Sequence, residues 1–81
     1  MRLPRDLSGE ELARTLSALG YMVTRQTGSH MRLTTHEHGE HHLTIPRHGS
    51  LRVGTIAALL ADVADHFGLS RDALFERLFA D

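Results

Sequence analysis

The 81-residue sequence contains no cysteine, no lysine, no asparagine and no tryptophan. The absence of cysteine excludes a disulfide-stapled scaffold, a thiol nucleophile and a zinc site with cysteine ligands. No apolar run approaches the roughly 20 residues that a transmembrane helix needs, and no charged-then-apolar signal sequence is present. We therefore expect one small domain over residues 1–81 that lies in the cytoplasm and does not bind a membrane.

Charge is distributed unevenly along the chain, although the formal net charge is only −1. Residues 1–20 carry equal numbers of arginines and acids, residues 21–54 carry an excess of arginine, and residues 55–81 carry an excess of acids. Most of the seven histidines also lie in the middle segment, and histidine is the side chain that gains charge between pH 5 and 8. The middle third is therefore the electropositive part of the chain, which points weakly to a phosphate-bearing ligand.

Helix signals stand at both ends of the sequence. Ser8 and Glu11 have the spacing of a capping box, and leucines at helical spacing follow them, so a helix is predicted over about residues 9–19. A broad apolar face predicts a second helix over Val53–Phe67. Ser70 is predicted to cap a short third helix, whose apolar surface we expect to pack mainly against the second.

Three strands are predicted between the first two helices. Residues 21–27 are rich in β-branched and aromatic side chains, and residues 30–35 and 41–46 alternate apolar with polar side chains. The polar segment 36–40 contains a glycine and reads as a hairpin loop. The fold class is therefore α+β, with the order α-β-β-β-α, a three-stranded antiparallel sheet and an extra short C-terminal helix. The sheet face that points away from the helices would carry His30, Arg32, Thr34, His42 and Thr44.

Two loops contain residues that could carry chemistry. In the segment 25–30, a Gly-Ser turn is followed by His30, which would stand at the edge of the open sheet face and could transfer a proton near neutral pH. After the third strand, Arg47 could bind a phosphate through two hydrogen bonds. Taken alone, each segment is more simply interpreted as an ordinary solvated turn or loop.

The histidine-rich stretch 36–42 suggests a metal site as a further alternative. His36, His38, His41 and His42, with Glu37 and Glu40, are ligand types suited to zinc or nickel. However, adjacent histidines on a strand point to opposite faces, so His41 and His42 cannot easily bind one ion. We therefore expect no metal or other cofactor.

Several segments, in order along the chain, resemble the HicA family of bacterial toxins, the mRNA interferases of HicA–HicB toxin–antitoxin pairs. The resemblance covers about residues 9–79, and the segments that carry it are Gly20-Tyr21, Arg25-Gln26-Thr27-Gly28-Ser29-His30, Thr44-Ile45-Pro46-Arg47-His48, Leu51-Arg52-Val53-Gly54-Thr55-Ile56 and Gly68 to Leu74. The family's fold is similar to a double-stranded-RNA-binding domain, which agrees with the order of elements predicted above. The sequence departs from many members at Met31, where they have a second histidine, and at Val53, where they have proline.

The resemblance implies an endoribonuclease that cleaves mRNA without a cofactor and is silenced by a HicB-type antitoxin; no DNA binding by the toxin itself is expected. It implies that His30 is the catalytic residue, acting as a general base on the RNA 2′-hydroxyl. From its place on the neighbouring strand, we infer His42 as a possible auxiliary acid. A non-catalytic RNA-binding or protein-binding module of the same fold is the alternative. The residues expected to bind RNA are Arg25, Gln26, Ser29, Arg32, Arg47 and His48.

Overall fold

A helix, three strands and two further helices follow one another along the chain, as the sequence predicts. The computed structural model describes residues 6–79. A short 3-10 turn over Ser17–Leu19 extends the first helix, so the predicted helix 9–19 is present but its last turn is tighter than α-helix. The elements are α1 (Gly9–Leu16), β1 (Met22–Gln26), β2 (His30–Thr35), β3 (His41–Pro46), α2 (Val53–Phe67) and α3 (Arg71–Phe79).

The predicted capping box fixes the start of α1. The Ser8 hydroxyl accepts a hydrogen bond from the Glu11 N–H at 3.0 Å, and the Ser8 N–H donates to Glu11 Oε1 at 2.9 Å. The hydrogen bond from the Ser8 backbone lowers the pKa of the Glu11 carboxyl from its ordinary value. At the other end, Gly20 takes a left-handed conformation with φ of 83°, which glycine adopts without steric cost.

The sheet is antiparallel in the order β1-β2-β3, and a bulge interrupts the pairing of its first two strands. Val23 pairs with Leu33, but Arg25 pairs with Arg32, so Thr24 is an extra residue in β1. All five residues of β1 are exposed, because the helices pack mainly against β3, at the other edge of the sheet, and leave this edge strand uncovered.

The core lies between the sheet and the helices. Met31, Leu33, Leu43 and Ile45 point from β2 and β3 into it, as their alternation predicts. The third helix packs against α2 and also against α1, with Leu74 only 1% exposed. The fully buried side chains are Tyr21, Leu12, Leu16, Leu19, Leu33, Ile45, Ile56, Leu74, Val63 and Thr35.

Gly9 joins the first helix to the end of the third strand. Its N–H donates to the His48 carbonyl at 3.0 Å. A side chain at this position would overlap the carbonyl oxygen of Pro46. The close approach places the end of β3, and the loop that follows it, against the start of α1.

No single helix between residues 6 and 79 has both the length and the apolar character needed to cross a membrane. The pair α2 and α3 meets that test only together, and the two helices are bent by 104° relative to each other.

Candidate nucleic-acid interface

The turn between β1 and β2 is held closed by Thr27. The Thr27 N–H donates to the His30 carbonyl at 2.9 Å, and the Thr27 hydroxyl accepts from the His30 N–H at 3.1 Å. Gly28 and Ser29 form the tip between these two residues. Because both ends of the turn are bonded to each other, the backbone of His30 is fixed at the first position of β2.

The imidazole of His30 is exposed and has one hydrogen-bond partner within residues 6–79. The Ser29 hydroxyl lies 2.9 Å from Nδ1. When the proton is on Nδ1, the ring donates to Ser29 and presents the lone pair of Nε2 to a ligand. This arrangement suits a general base, because the nitrogen that would take the proton has no competing partner in the described part of the chain.

Arg47 braces the same turn from the third strand. Its N–H donates to the Ser29 carbonyl at 2.8 Å, and its Nη1 donates to the Thr27 carbonyl at 3.3 Å. Its Nη2 lies 3.7 Å from a carboxylate oxygen of Glu10 on α1. Arg47 was predicted to bind RNA; in the structure its guanidinium also braces the turn, and its contact with RNA stays a prediction.

A shallow depression of about 390 Å³ lies on the open face of the sheet, beyond the turn. Arg25 and Arg32 stand on neighbouring strands and both line it, together with His42. Gln26 pairs with the inward-pointing Met31, which places it on the opposite face of the sheet. The complete lining is Thr24, Arg25, Arg32, Thr34, His36, Glu40 and His42.

A chain of hydrogen bonds forms the floor of the depression. The hydroxyls of Thr24 and Thr34 lie 2.9 Å apart, and Thr34 Oγ1 lies 2.8 Å from His42 Nδ1. The other ring nitrogen of His42 lies 2.8 Å from Glu40 Oε2. Both nitrogens of His42 are therefore bonded within the protein.

His30 and His42 do not lie next to each other on the sheet. His42 pairs with Thr34, four residues further along β2 than His30. At about 3.3 Å per residue, this separates the two backbone positions by about 13 Å. The arrangement therefore does not support His42 as the acid that serves the same phosphate as His30. His48 lies in the exposed loop after β3, where its carbonyl accepts from the Gly9 N–H, and it does not line the depression.

His41 lies on the helix side of the sheet, in contact with Tyr21 and with α2. His41 Nδ1 is 2.7 Å from the Tyr21 hydroxyl, and its Nε2 is 3.1 Å from Asp62. His66 of α2 stacks on His41 with ring centroids 4.4 Å apart. Burial, with a smaller effect from Asp62, raises the pKa of Tyr21 to about 12.

The hairpin histidines do not converge on a metal site. His41 and His42 lie on opposite sides of the sheet, as expected for adjacent strand residues. Within residues 6–79, no group of three or more histidine, aspartate or glutamate side chains is arranged to hold a metal ion.

Three lining residues were not anticipated from the sequence: Thr24, His36 and Glu40. The bulge brings both Thr24 and Arg25 to the open face, whereas simple alternation would place them on opposite faces. A bulge has no reliable sequence signature, so this part of the lining could not be found in advance. His36 and Glu40 belong to the hairpin loop, where the polar sequence does not predict which face of the sheet each side chain reaches.

Comparison with protein-family models matches residues 9–64 to the HicA toxin of bacterial toxin–antitoxin systems. The matched region contains the turn with His30, all three strands and most of α2. No curated protein and no solved structure matched the chain. The family match defines the class of protein: the toxin of a bacterial toxin–antitoxin pair, which acts with an antitoxin partner. Because the match covers more than half of the sequence, the chain belongs to the HicA toxin family.

Proposed function

We propose that this toxin is an endoribonuclease that cleaves mRNA and uses His30 as its general base. One observation carries the proposal: His30 is an exposed imidazole on a fixed turn, bonded to Ser29 through Nδ1. This turn lies inside the segment that matches the toxin family. A general base needs a ring held in one orientation with one nitrogen accessible, and the turn provides both.

The reaction needs few groups because RNA carries its own nucleophile. His30 Nε2 would take the proton of a 2′-hydroxyl, and the resulting oxygen would attack the adjacent phosphorus. The bond from phosphorus to the 5′-oxygen then breaks, and that oxygen takes a proton from water. The imidazolium of His30 returns its proton to the hydroxide that remains, which restores the base. The products are a 2′,3′-cyclic phosphate and a 5′-hydroxyl end. Arginine side chains near the turn would offset the negative charge that develops on the phosphate.

The same site supports a mechanism of inhibition. We propose that the antitoxin is of the HicB type and silences the toxin by covering His30, which is exposed on the surface of the free chain. Occlusion of one exposed imidazole and its turn would stop the reaction without a conformational change. Since the substrate would be mRNA, we place the toxin in the cytoplasm.

Cleavage of a defined mRNA by the purified protein in the presence of EDTA tests this function. The native chain should produce 2′,3′-cyclic phosphate ends, and the H30N variant should lose about 10²- to 10⁴-fold in rate, which is the usual contribution of a general base. The matched control is H38N. His38 has a positive φ of 57°, a conformation that asparagine tolerates, and it is not on the open face, so its variant should keep the native rate.

The outcomes also separate the enzyme from the alternative module. Cleavage that disappears in EDTA would contradict a mechanism that rests on the imidazole alone. RNA binding by the native chain without cleavage would identify a non-catalytic RNA-binding module. Equal cleavage by native and H30N proteins would remove His30 from the mechanism.

A further inference from the structure

The open face carries a pair of like charges that the protein itself does not neutralise. Arg25 and Arg32 stand directly opposite each other on β1 and β2, and both line the depression. Within residues 6–79, no carboxylate forms an ion pair with either one. Like charges directly opposite each other destabilise a sheet. An anion between the two guanidinium groups would remove this cost.

The bulge makes this pairing possible. Without the extra residue Thr24, Arg25 would point to the helix side of the sheet and could not share a surface with Arg32. Bulges commonly redirect a side chain next to a functional site. The hydroxyls of Thr24 and Thr34 also form a hydrogen bond between β1 and β2, which helps to fix β1 at the bulge.

One acid, Glu40, also lines the depression, and its carboxylate lies next to two histidine rings. One of its oxygens lies 2.8 Å from His42 Nε2, and the other lies 3.9 Å from His36 Nδ1. It stands beyond His42, at the hairpin end of the depression. The arginine pair lies nearer the turn, so an anion bound there would not meet this carboxylate first.

The cationic and polar positions are spaced regularly along β2. His30, Arg32 and Thr34 point to the same face, and successive members are two residues, or about 7 Å, apart. This step is comparable to the distance between successive phosphates of an extended nucleic-acid strand. Proteins that bind single strands commonly follow the backbone with a positively charged groove of this kind.

The lining also indicates which part of the RNA is recognised. Among the described residues, no tyrosine, phenylalanine or tryptophan lines the depression, and its aromatic rings are the imidazoles of His36 and His42. Arginine side chains bind phosphates well through paired N–H donors. The face therefore suits the backbone of the RNA and is tolerant of its sequence.

We propose that single-stranded RNA lies along the open face of β2, with Arg25 and Arg32 together holding the phosphate next to the one that reacts at His30. This inference rests on the proposed function, since it assumes that RNA is the substrate, and it adds the form of the RNA and its path over the protein. The RNA runs from the turn that contains Gly28 and Ser29 toward the hairpin loop that follows β2.

Salt-dependent RNA binding tests the proposal, measured on the H30N variant so that the RNA stays intact. The RNA is a single-stranded oligonucleotide, compared with the same strand in a duplex. Removing both arginines as R25Q/R32Q should reduce the slope of log affinity against log salt by about 0.7, since the two arginines share one phosphate and each phosphate contact to a single strand contributes about 0.7. The duplex should bind more weakly than the single strand.

The matched control is R71Q/R77Q, which removes the same charge from exposed positions on α3. It should leave the slope nearly unchanged. Equal slope changes in the two double variants would show that only net charge matters and would overturn the proposal. Tighter binding of the duplex would overturn it as well. Weaker binding of a poly-glutamate peptide by R25Q/R32Q, with an unchanged RNA slope, would assign the face to an acidic protein partner instead.

A parallel cleavage assay with the native chain separates this proposal from the proposed function. Cleavage by the native chain with no specific effect of R25Q/R32Q on binding would overturn the RNA path alone. Failure of the native chain to cleave or bind RNA would overturn the enzymatic function, and the RNA path with it.

Discussion

At the scale of single residues, the surroundings of His30 favour one orientation of an exposed ring, which is what the proposed general base requires. Thr27 closes the turn, Ser29 bonds to the ring and Arg47 braces the backbone from another strand. An unsupported surface imidazole would sample several rotamers, whereas this one has a hydrogen bond that favours one orientation. Its exposure keeps it available to RNA and to the antitoxin that the family match implies.

A substitution at Gly28 can test the function of this turn separately from the stability of the fold. Its φ does not lie in the left-handed region, and a Cβ added to it would meet no atom within 4 Å. The G28A variant should therefore keep the native free energy of unfolding to within about 0.5 kcal/mol. If RNA passes closely over the turn, the methyl group should slow cleavage by about ten- to a hundredfold, because small displacements at a reacting centre are costly.

Thermal unfolding and RNA cleavage, measured on the same G28A preparation, check this prediction. Native cleavage by a stable G28A protein would mean that RNA does not contact the tip of the turn. A marked loss of stability would mean that the glycine is needed for folding.

Tyr21 gives a direct test of the helix side of the sheet. It is the only tyrosine in the sequence, and there is no tryptophan, so its ionisation can be followed by ultraviolet absorbance without interference. Its pKa is raised to about 12, mainly by burial. The folded protein should form tyrosinate near pH 12, whereas the urea-unfolded chain should do so near the ordinary value of about 10.

The raised pKa also predicts how stability depends on pH. Above about pH 10 the unfolded chain loses the phenol proton while the folded chain keeps it, so the free energy of unfolding should fall between about pH 10 and 12. The Y21F variant, which has no proton to lose, should lack this part of the decline. Identical alkaline profiles for the two proteins would contradict the buried, raised-pKa state of Tyr21.

At the scale of elements, the open face depends on a bulge and on one close approach between α1 and β3. The helices and the alternation of β2 and β3 could be predicted because their apolar spacing is regular and their caps follow known patterns. The bulge at Thr24 could not, since it depends on how β1 pairs with β2 rather than on any local residue preference. As a result, the sequence identified both arginines as RNA-binding candidates but not their position opposite each other.

Two glycine substitutions test the packing of these elements. In G9A the added methyl group would overlap the carbonyl of Pro46, which is part of the backbone and cannot move freely. We expect a loss of about 1–3 kcal/mol in the free energy of unfolding. In G54A, at the exposed start of α2, the methyl group meets nothing within 4 Å, and we expect a gain of about 0.4–1 kcal/mol.

Chemical denaturation of the two variants, compared with the native chain, checks the signs. Opposite effects support the close approach of α1 to the end of β3. A stable G9A protein would contradict that approach and, with it, the placement of the loop that contains His48.

At the scale of the whole molecule, the uneven charge of the sequence corresponds to two differently charged surfaces. The open face presents arginines and histidines from the middle segment, whereas the C-terminal helices carry most of the excess of acids. A net charge near zero is compatible with RNA binding when the cations are grouped on one face. The charge grouping along the chain was visible in the sequence, and alternation placed Arg32 and His42 on the open face, but the position of Arg25 on that face required the fold.

At the candidate site, the sequence predicts single residues better than it predicts the contacts between them. His30 could be proposed as the base because the turn before it and the family resemblance point to one residue, and it stays a prediction. The contacts of the Arg47 guanidinium with Thr27 and Glu10 could not be predicted, because these residues are distant from Arg47 in sequence. Likewise, the 13 Å or so between His30 and His42 follows from the register of β2 and β3, which alternation alone does not determine.

Induced expression of the native chain and of H30N in bacteria, without antitoxin, tests the central claim most directly. Growth and mRNA integrity should be followed together, with H38N as the matched control. We predict growth arrest and mRNA cleavage with the native chain and with H38N, and neither with H30N. Equal arrest and cleavage by H30N and the native chain, at equal protein levels, would contradict the assignment of His30 as the general base of this toxin.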